Sequence, residues 1–329
     1  MNTQHSSAAS WRHVAGAVAG LTVLLSVLLT AFAWPAANSE PRDLPLALAA
    51  PGPVAAQVEQ RLAAGGGAFE VTRVADRVAA LAAIEDRDVY GALVVTPRGV
   101  EMLTASAAGP AVAQVLGQVA AGLPVDENAG PVQVTDVVPL PAQDPRGAGL
   151  AAGALPLVLG GIAAAAVLTM RVRGTGRRLV GALGFAVAGG LAMTAILQFW
   201  LGSLDGSYWA ASAVVALAIG ATATVILALE RLLGMAGLAL GAAVMLLLGN
   251  PLSGMTSAPE MLPSGWGALG QLLPPGAAGT ALRSVVFFDG AGAGAALVVL
   301  GCWFAFGLAM FAIPVRTRRP AQIAEPVAV

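Results

Sequence analysis

The sequence contains no lysine, one cysteine and two histidines among its 329 residues. Without lysine, the chain cannot use a P-loop lysine, a Schiff base or a lysine general base. His5 and His13 precede the first long apolar run and Cys302 lies inside the last one, which excludes an internal disulfide and zinc-ligand spacing. We therefore predict no catalytic residues, no metal site and no cofactor, and we expect that the chain is not an enzyme.

Charged residues are also scarce, at 11% of the chain, whereas hydrophobic residues make up 57%. Soluble proteins carry about 25% charged residues, so most of this surface is expected to face lipid. Six apolar runs reach or approach the roughly 20 residues that cross a bilayer. None of them contains a charged residue, and they are Val14–Trp34, Ala148–Met170, Leu179–Leu201, Tyr208–Leu229, Leu232–Leu248 and Ala295–Val315. The expected fold is an α-helical integral membrane protein with about six transmembrane helices.

The arginines lie at alternate connections between these runs, which predicts their orientation. Arg12 precedes the first run and Arg231 separates the fourth from the fifth. Seven more are predicted to set the topology from the cytoplasmic side, namely Arg171, Arg173, Arg177, Arg178, Arg316, Arg318 and Arg319. By the positive-inside rule both termini are then cytoplasmic. An alanine-rich, lysine-free composition is typical of a GC-rich bacterial genome, so we expect the cytoplasmic (inner) membrane of a bacterium.

These observations divide the chain into five parts. They are a cytoplasmic tail (1–13), the first transmembrane helix (14–34), an extracytoplasmic domain (35–147), a five-helix transmembrane domain (148–315) and a second cytoplasmic tail (316–329). The first run could instead be a cleaved signal peptide, because Ala31-Phe32-Ala33 resembles a cleavage site. A signal core usually has 7–15 residues and this run is longer, so we favour a retained anchor.

Residues 35–147 have the composition of a small α/β domain. Strands and helices are predicted in the order β-α-β-α-β-β-α-β, with a hairpin at Thr96-Pro97-Arg98-Gly99. The predicted elements are Leu44–Ala49, Pro53–Ala64, Phe69–Val74, Ala75–Glu85, Val89–Val95, Gly99–Ala105, Pro110–Leu123 and Val132–Val138. The domain has no histidine or cysteine, and its carboxylate clusters, such as Glu85/Asp86/Asp88, are expected to be a solvated surface.

The segment 249–294 is too apolar for a free loop and too rich in proline and glycine for a straight helix. Ser264 is expected to cap a short helix through Leu273, ended by Pro274-Pro275, and a second short helix is expected over Ala277–Phe288. Such broken backbone is typical of interfacial or re-entrant elements. Glu260 and Arg283 either line a path there or are, respectively, plain surface and a side chain that reaches for lipid headgroups.

With this pattern the chain resembles the ABC-2-type transporter permeases, and most of all the phage-infection-protein-like branch. The motif-like detail lies in GNPLSG (Gly249–Gly254), PPGA (Pro274–Ala277) and FFDGAG (Phe287–Gly292). The resemblance implies an exporter subunit that works as a homodimer or as a heterodimer with a related permease, together with a separate ATP-binding subunit. It also implies a pathway or gate role for Pro251, Glu260, Pro274, Pro275 and Arg283. It names no substrate.

The connection Arg171–Arg178 is short for a docking site of such an ATPase. Either it offers a small docking surface or its arginines only set the topology, and we favour topology. The partners expected are thus the lipid bilayer, a second permease chain and an ATP-binding subunit, with no nucleic acid. The alternative function is a non-transporting envelope scaffold or receptor that displays residues 35–147. A single anchor would suffice for that role, so the five additional runs favour the permease.

Overall fold

A computed structural model gives the fold of the chain and describes residues 7–64, 66–97, 99–123 and 131–313. Arg98 of the expected hairpin turn and the topology-setting Arg316, Arg318 and Arg319 lie outside the described residues. Within them, the chain consists of a sheet domain, a bundle of long apolar helices and a broken segment that contacts both.

The sheet domain follows the first helix and has the predicted order of strands and helices, which is confirmed. Its helices are α2 (Gly52–Ala63), α3 (Arg77–Glu85) and α4 (Pro110–Gly122), and its strands are β1 (Leu44–Ala49), β2 (Phe69–Arg73), β3 (Gly91–Thr96), β4 (Gly99–Thr104) and β5 (Gln133–Asp136). Proline lies in the first turn of α2 and of α4, where no backbone N–H is needed. The Asp76 carboxylate caps α3 by accepting a 2.9 Å hydrogen bond from the Ala79 N–H.

The five strands form one mixed sheet in the order β2-β1-β3-β4-β5. Strand β1 pairs in parallel with β2 and β3, β3 and β4 form the antiparallel hairpin, and β5 adds in parallel to β4. Because side chains alternate along a strand, β1 serves two cores at once. Leu46 and Leu48 pack on the face covered by α2 and α4, whereas Ala47 and Ala49 pack on the face covered by α3.

In the part of the chain that the structure describes, five helices are long and apolar enough to cross a membrane. They are α1 (Ser7–Ala37), α5 (Ala148–Arg171), α6 (Thr175–Ala195, continued by a π-helical turn Ile196–Trp200), α7 (Tyr208–Leu233) and α11 (Gly294–Ala312). The fifth predicted run forms a shorter helix, α8 (Met235–Ala243), which ends in a π-helical stretch (Val244–Gly249). Helix α7 continues to Leu233. Gly234, at a φ of 66°, then interrupts the helical conformation before α8 begins.

Helix α7 is the centre of the bundle and packs against α5, α6, α8 and α11. Glycines let the neighbouring backbones approach it, because a Cβ at Gly237 would lie 2.0 Å from the Leu229 carbonyl oxygen. Helix α1 lies at the periphery, and its apolar side chains are largely exposed. Near its C-terminal end, the Trp34 ring meets the Trp266 ring edge-on at 5.7 Å between centroids.

The broken segment 249–294 contains two short helices, as its composition predicts. They are α9 (Trp266–Gln271) and α10 (Pro274–Phe287), preceded by a 3₁₀ turn (Pro259–Met261). The predicted cap at Ser264 is wrong, because α9 begins after Gly265, which lies in the left-handed region and uses no side-chain cap. Pro274 and Pro275 open α10, since proline is well suited to a first helical turn.

Candidate functional site

The sheet domain and the broken segment enclose a cavity of about 500 Å³, here called the cleft. The loop after α1 supplies Arg42 and Asp43, and the loop between α3 and β3 supplies residues 87–90. The opposite wall comes from residues 259–271 of the broken segment, with Thr280 of α10. The cleft therefore has a wall from each of the two parts that the sequence analysis treated separately.

Arg87 joins the sheet domain to α10. It follows α3 in the left-handed conformation at φ 63°, which turns the chain toward β3. Its Nη1 donates to the Ser284 hydroxyl at 2.6 Å and to the Thr280 carbonyl oxygen at 3.2 Å, and its guanidinium lies 5.2 Å from the centre of the Phe288 ring. Burial lowers the pKa of Arg87, although the nearby Tyr90 and Glu260 oppose that shift. Arg87 is thus a partly desolvated cation held by neutral groups of α10.

Tyr90 and Glu260 form a second link across the cleft. The Tyr90 hydroxyl donates a 2.7 Å hydrogen bond to Glu260 Oε2. Burial, followed by the nearby Glu260 carboxylate, raises the pKa of the Tyr90 hydroxyl above its ordinary value. The backbone fixes both ends, since the Tyr90 N–H donates to the Pro45 carbonyl oxygen and the Glu260 carbonyl oxygen accepts from the Arg42 N–H, each at 3.0 Å.

Arg283 lies in the interior and does not pair with Glu260. Its side chain is only 5% exposed, so the alternative in which it reaches for lipid headgroups is wrong. Its Nη2 donates to the Met255 carbonyl oxygen at 3.1 Å. Among the described residues, Arg283 forms no ion pair, and its Nε is buried without a hydrogen-bond partner. Glu260 is likewise more than a plain surface residue, because it is half-buried and bonded to Tyr90.

The three candidate prolines lie in two different places. Pro274 and Pro275 are buried at the start of α10, where a Cβ added at Gly249 would lie 2.7 Å from Pro275 Cγ. Pro251 lines another cavity, of about 470 Å³, between the broken segment and the end of α1. The five candidate residues therefore lie along the broken segment, but the structure does not bring them together in a single pocket.

The sequence analysis missed Arg87 and Tyr90. Glu85, Asp86 and Asp88 are exposed as expected, whereas Arg87, in the middle of that cluster, points toward α10. The sequence offered one usable signal, since Tyr90 is one of only two tyrosines in the chain. The left-handed backbone conformation of Arg87 turns its side chain inward. Arginine is not a residue type that indicates this conformation, so the sequence did not predict it.

At the far end of the bundle, the arginine-rich connection between α5 and α6 contains one ordered ion pair. Arg178 Nη1 lies 3.0 Å from Glu230 Oε2, and Arg178 Nε donates to the Val172 carbonyl oxygen at 2.8 Å. Arg231 stands 5.4 Å from the centre of the Phe311 ring. Arg171, Arg173 and Arg177 are exposed. One of the four arginines in this connection thus ties α6 to α7, and the other three face outward.

Within the described ranges, no group of three or more His, Cys, Asp or Glu side chains could hold a metal ion. The cleft instead combines hydrogen-bond donors and acceptors with a tight interdomain contact, which suits recognition or mechanical coupling. Comparisons with protein-family models, with curated proteins and with solved structures find no match for this chain.

Proposed function

We propose that this chain is the membrane-spanning permease subunit of an ABC-2-type exporter, powered by a separate ATP-binding subunit. In this proposal the chain lies in the cytoplasmic membrane of a bacterium, with both termini inside and residues 35–147 outside. It pairs with a second permease chain, either a copy of itself or a related one. The substrate class remains open within the proposal.

The observation that carries the proposal is the packing of the broken segment into both halves of the molecule. Ala258 and Met261 belong to the core on the α2/α4 face of the sheet domain, and Phe288 belongs to the core on the α3 face. Helix α10, in the same segment, packs against α7 and α11 in the bundle. A rearrangement of the bundle would therefore move α10 and, through it, the sheet domain.

Such coupling is what a transporter needs at the exit side of its path. Packed interfaces switch between discrete arrangements instead of deforming continuously, so a shift at one end of α10 is transmitted to its contacts. Under this proposal Pro251, Glu260, Pro274, Pro275 and Arg283 belong to the moving segment. Arg87 and Tyr90 are added to them as the residues through which the sheet domain follows that movement.

The alternative is a scaffold or receptor that displays the sheet domain without transport. A displayed domain on a tether needs no shared core with the bundle. Here, in contrast, the chain just after α1 is hydrogen-bonded to the broken segment, with the Glu40 N–H donating to the Met261 carbonyl oxygen at 3.0 Å. This contact favours a sheet domain that works together with the helices.

The deciding experiment is co-purification with a candidate ATP-binding subunit from the same organism, followed by an ATPase assay in lipid. We expect a stable complex whose ATPase activity exceeds that of the ATP-binding protein alone. Tyr90→Phe and Glu260→Gln should keep the complex but lower its activity, because they loosen the coupling across the cleft. Glu70→Gln, on the exposed edge strand β2, is the matched control and should leave the activity unchanged.

Two results would contradict the proposal. Failure of the two proteins to associate in lipid would favour the scaffold. A complex whose ATPase activity is the same as that of the isolated ATP-binding protein would show association without coupling. If Tyr90→Phe, Glu260→Gln and Glu70→Gln all lowered the ATPase activity to the same extent, the cleft would have no specific role in coupling.

A further inference from the structure

Arg283 is a buried cation whose counter-charge is missing from the described part of the chain. Ion pairs there join Arg42 to Glu40, Arg73 to Glu59, Arg77 to Glu101 and Arg178 to Glu230, and none of them includes Arg283. With the described residues, its guanidinium makes one hydrogen bond, to the Met255 carbonyl oxygen, and its Nε has no partner among them. A buried charge without a partner is strongly unfavourable, so a neutralising group is expected nearby.

A small cavity adjoins Arg283. Its volume is about 40 Å³, and it lies between α10, the start of α4, the start of α5 and the residues around Met255. A water molecule needs roughly 10–15 Å³ of such space, so the cavity accepts only one or a few particles of that size. Its apolar walls include Leu140, Leu150 and Met255. An occupant must therefore be small, and it would be largely dehydrated.

The polar groups around this cavity favour a negative charge. Arg146, which is exposed, lines it together with the buried Arg283. Pro110 and Gly147, at the first turn of α4 and just before the first turn of α5, also line it, and the N-terminal end of a helix carries a partial positive charge. None of the described residues that line the cavity carries a carboxylate.

A buried carboxylate close to Arg146 in the sequence, that of Asp144, is already engaged. Asp144 uses one carboxylate oxygen to accept a 2.7 Å hydrogen bond from the Ala148 N–H and the other to accept a 2.8 Å bond from the Gly149 N–H. It thereby caps α5 and does not form an ion pair with Arg283 or Arg146. Two guanidinium groups thus remain at the cavity without a carboxylate partner from the described residues.

We propose that this cavity binds a monovalent anion of about the size of chloride, held by Arg283 inside and by Arg146 at the mouth. The anion enters past Arg146 and supplies the charge that Arg283 lacks. Polyatomic anions with many oxygens, such as phosphate esters or gluconate, are too large for the space. The proposal is independent of the exporter function, because it concerns how the chain neutralises a buried charge.

The test is the thermal unfolding temperature of the full-length protein in lipid nanodiscs as chloride replaces gluconate at constant ionic strength. We expect a saturable rise with chloride and with bromide. Arg146→Gln should move the half-saturating chloride concentration several-fold higher, and Arg283→Gln should abolish the dependence. Arg61→Gln, an exposed arginine of α2 that removes the same charge elsewhere, should behave like the parent chain.

A structure determined in bromide provides the second readout, and it does not depend on the folding of any variant. Anomalous bromide density in the cavity, within hydrogen-bond distance of the Arg283 guanidinium, would support the proposal. The proposal would be overturned if the cavity contained water and no bromide, and if the unfolding temperatures in chloride and in gluconate were equal. Chloride dependence that is unchanged in both Arg146→Gln and Arg283→Gln would overturn it as well.

Discussion

The cleft is held by two residues of the sheet domain, and each makes a different kind of bond. Arg87 donates hydrogen bonds to a hydroxyl and a carbonyl oxygen, and its guanidinium also lies over an aromatic ring. The Tyr90 hydroxyl donates a hydrogen bond to a carboxylate. A hydrogen bond to a charged group contributes more than a neutral one, typically about 1.5–3 kcal/mol. The guanidinium of Arg87 and the carboxylate of Glu260 are both charged, so both links should contribute to how the domain docks.

A double-mutant cycle can measure that bond. We expect Tyr90→Phe and Glu260→Gln each to destabilise the protein, and the double variant to be less destabilised than the sum of the two. The coupling free energy should be about 1–2 kcal/mol, because Tyr90→Phe removes this hydrogen bond and Glu260→Gln removes the charge that strengthens it. Chemical or thermal unfolding in detergent provides the measurement. Purely additive effects would show that the two side chains do not interact.

Stability should also fall at alkaline pH because of Tyr90. Its pKa is raised in the folded state, mainly by burial and then by the Glu260 carboxylate, so the folded protein holds this proton more tightly than the unfolded chain does. The stabilisation is fully present below the unfolded value, about 10, and is lost progressively as the pH rises above it. Tyr90→Phe should flatten the decline in unfolding temperature above pH 10. Tyr208→Phe is the matched control, and an equal flattening there would contradict this assignment.

At the scale of elements, the broken segment depends on glycines that let one turn of backbone touch another. A Cβ at Gly270 of α9 would lie 1.7 Å from the Leu252 carbonyl oxygen, and one at Gly276 of α10 would lie 2.2 Å from the Gly270 carbonyl oxygen. Both neighbours are main chain and cannot rotate away. The short helices α9 and α10 are therefore packed by close backbone contact as well as by side chains.

Gly270→Ala should consequently destabilise the protein by about 1–3 kcal/mol, the usual cost of overpacking. Gly16→Ala is the matched control, because a Cβ at that position of α1 meets nothing within 4 Å and alanine favours helix. The unfolding temperatures of the two variants in detergent provide the comparison. Equal temperatures would mean that α9 can move away from Leu252 at little cost.

Much of the element order was predictable, because it depends on local patterns. Alternation along Val132–Val138, the proline at position 53 and the Pro/Gly content of 249–294 each predicted the kind of element that the structure has there. The ends of elements were less predictable, since Gly234 rather than the Glu230–Arg231 pair separates α7 from α8. The cleft was not predictable, because Arg87 and Tyr90 lie roughly 170–200 residues from their partners.

At the scale of the whole molecule, the arginines and the sheet domain lie at opposite ends of the helical bundle. The connection from the C-terminal end of α5 to α6 contains Arg171, Arg173, Arg177 and Arg178. The sheet domain, in contrast, precedes the N-terminal end of α5. This separation fits the orientation proposed from the positive-inside rule, in which the sheet domain is outside and the arginines are inside.

The single cysteine makes that orientation testable. In a Cys302→Ser background, Thr72→Cys places a thiol on exposed β2 of the sheet domain and Thr175→Cys places one at the exposed start of α6. A membrane-impermeant maleimide added to intact spheroplasts should label the Thr72→Cys chain at once. The Thr175→Cys chain should react only after the membrane is permeabilised.

The Cys302→Ser parent, with no thiol, sets the background of the assay. The opposite labelling order would place the sheet domain in the cytoplasm, and an exit-side role for the cleft would then be excluded. Labelling of both chains without permeabilisation would mean that α5 does not cross the bilayer, because Thr72 and Thr175 lie in sequence on either side of it. The expected labelling order, in contrast, requires that an odd number of segments between β2 and α6 cross the membrane. In the described part of that interval, α5 is the one helix long enough to do so.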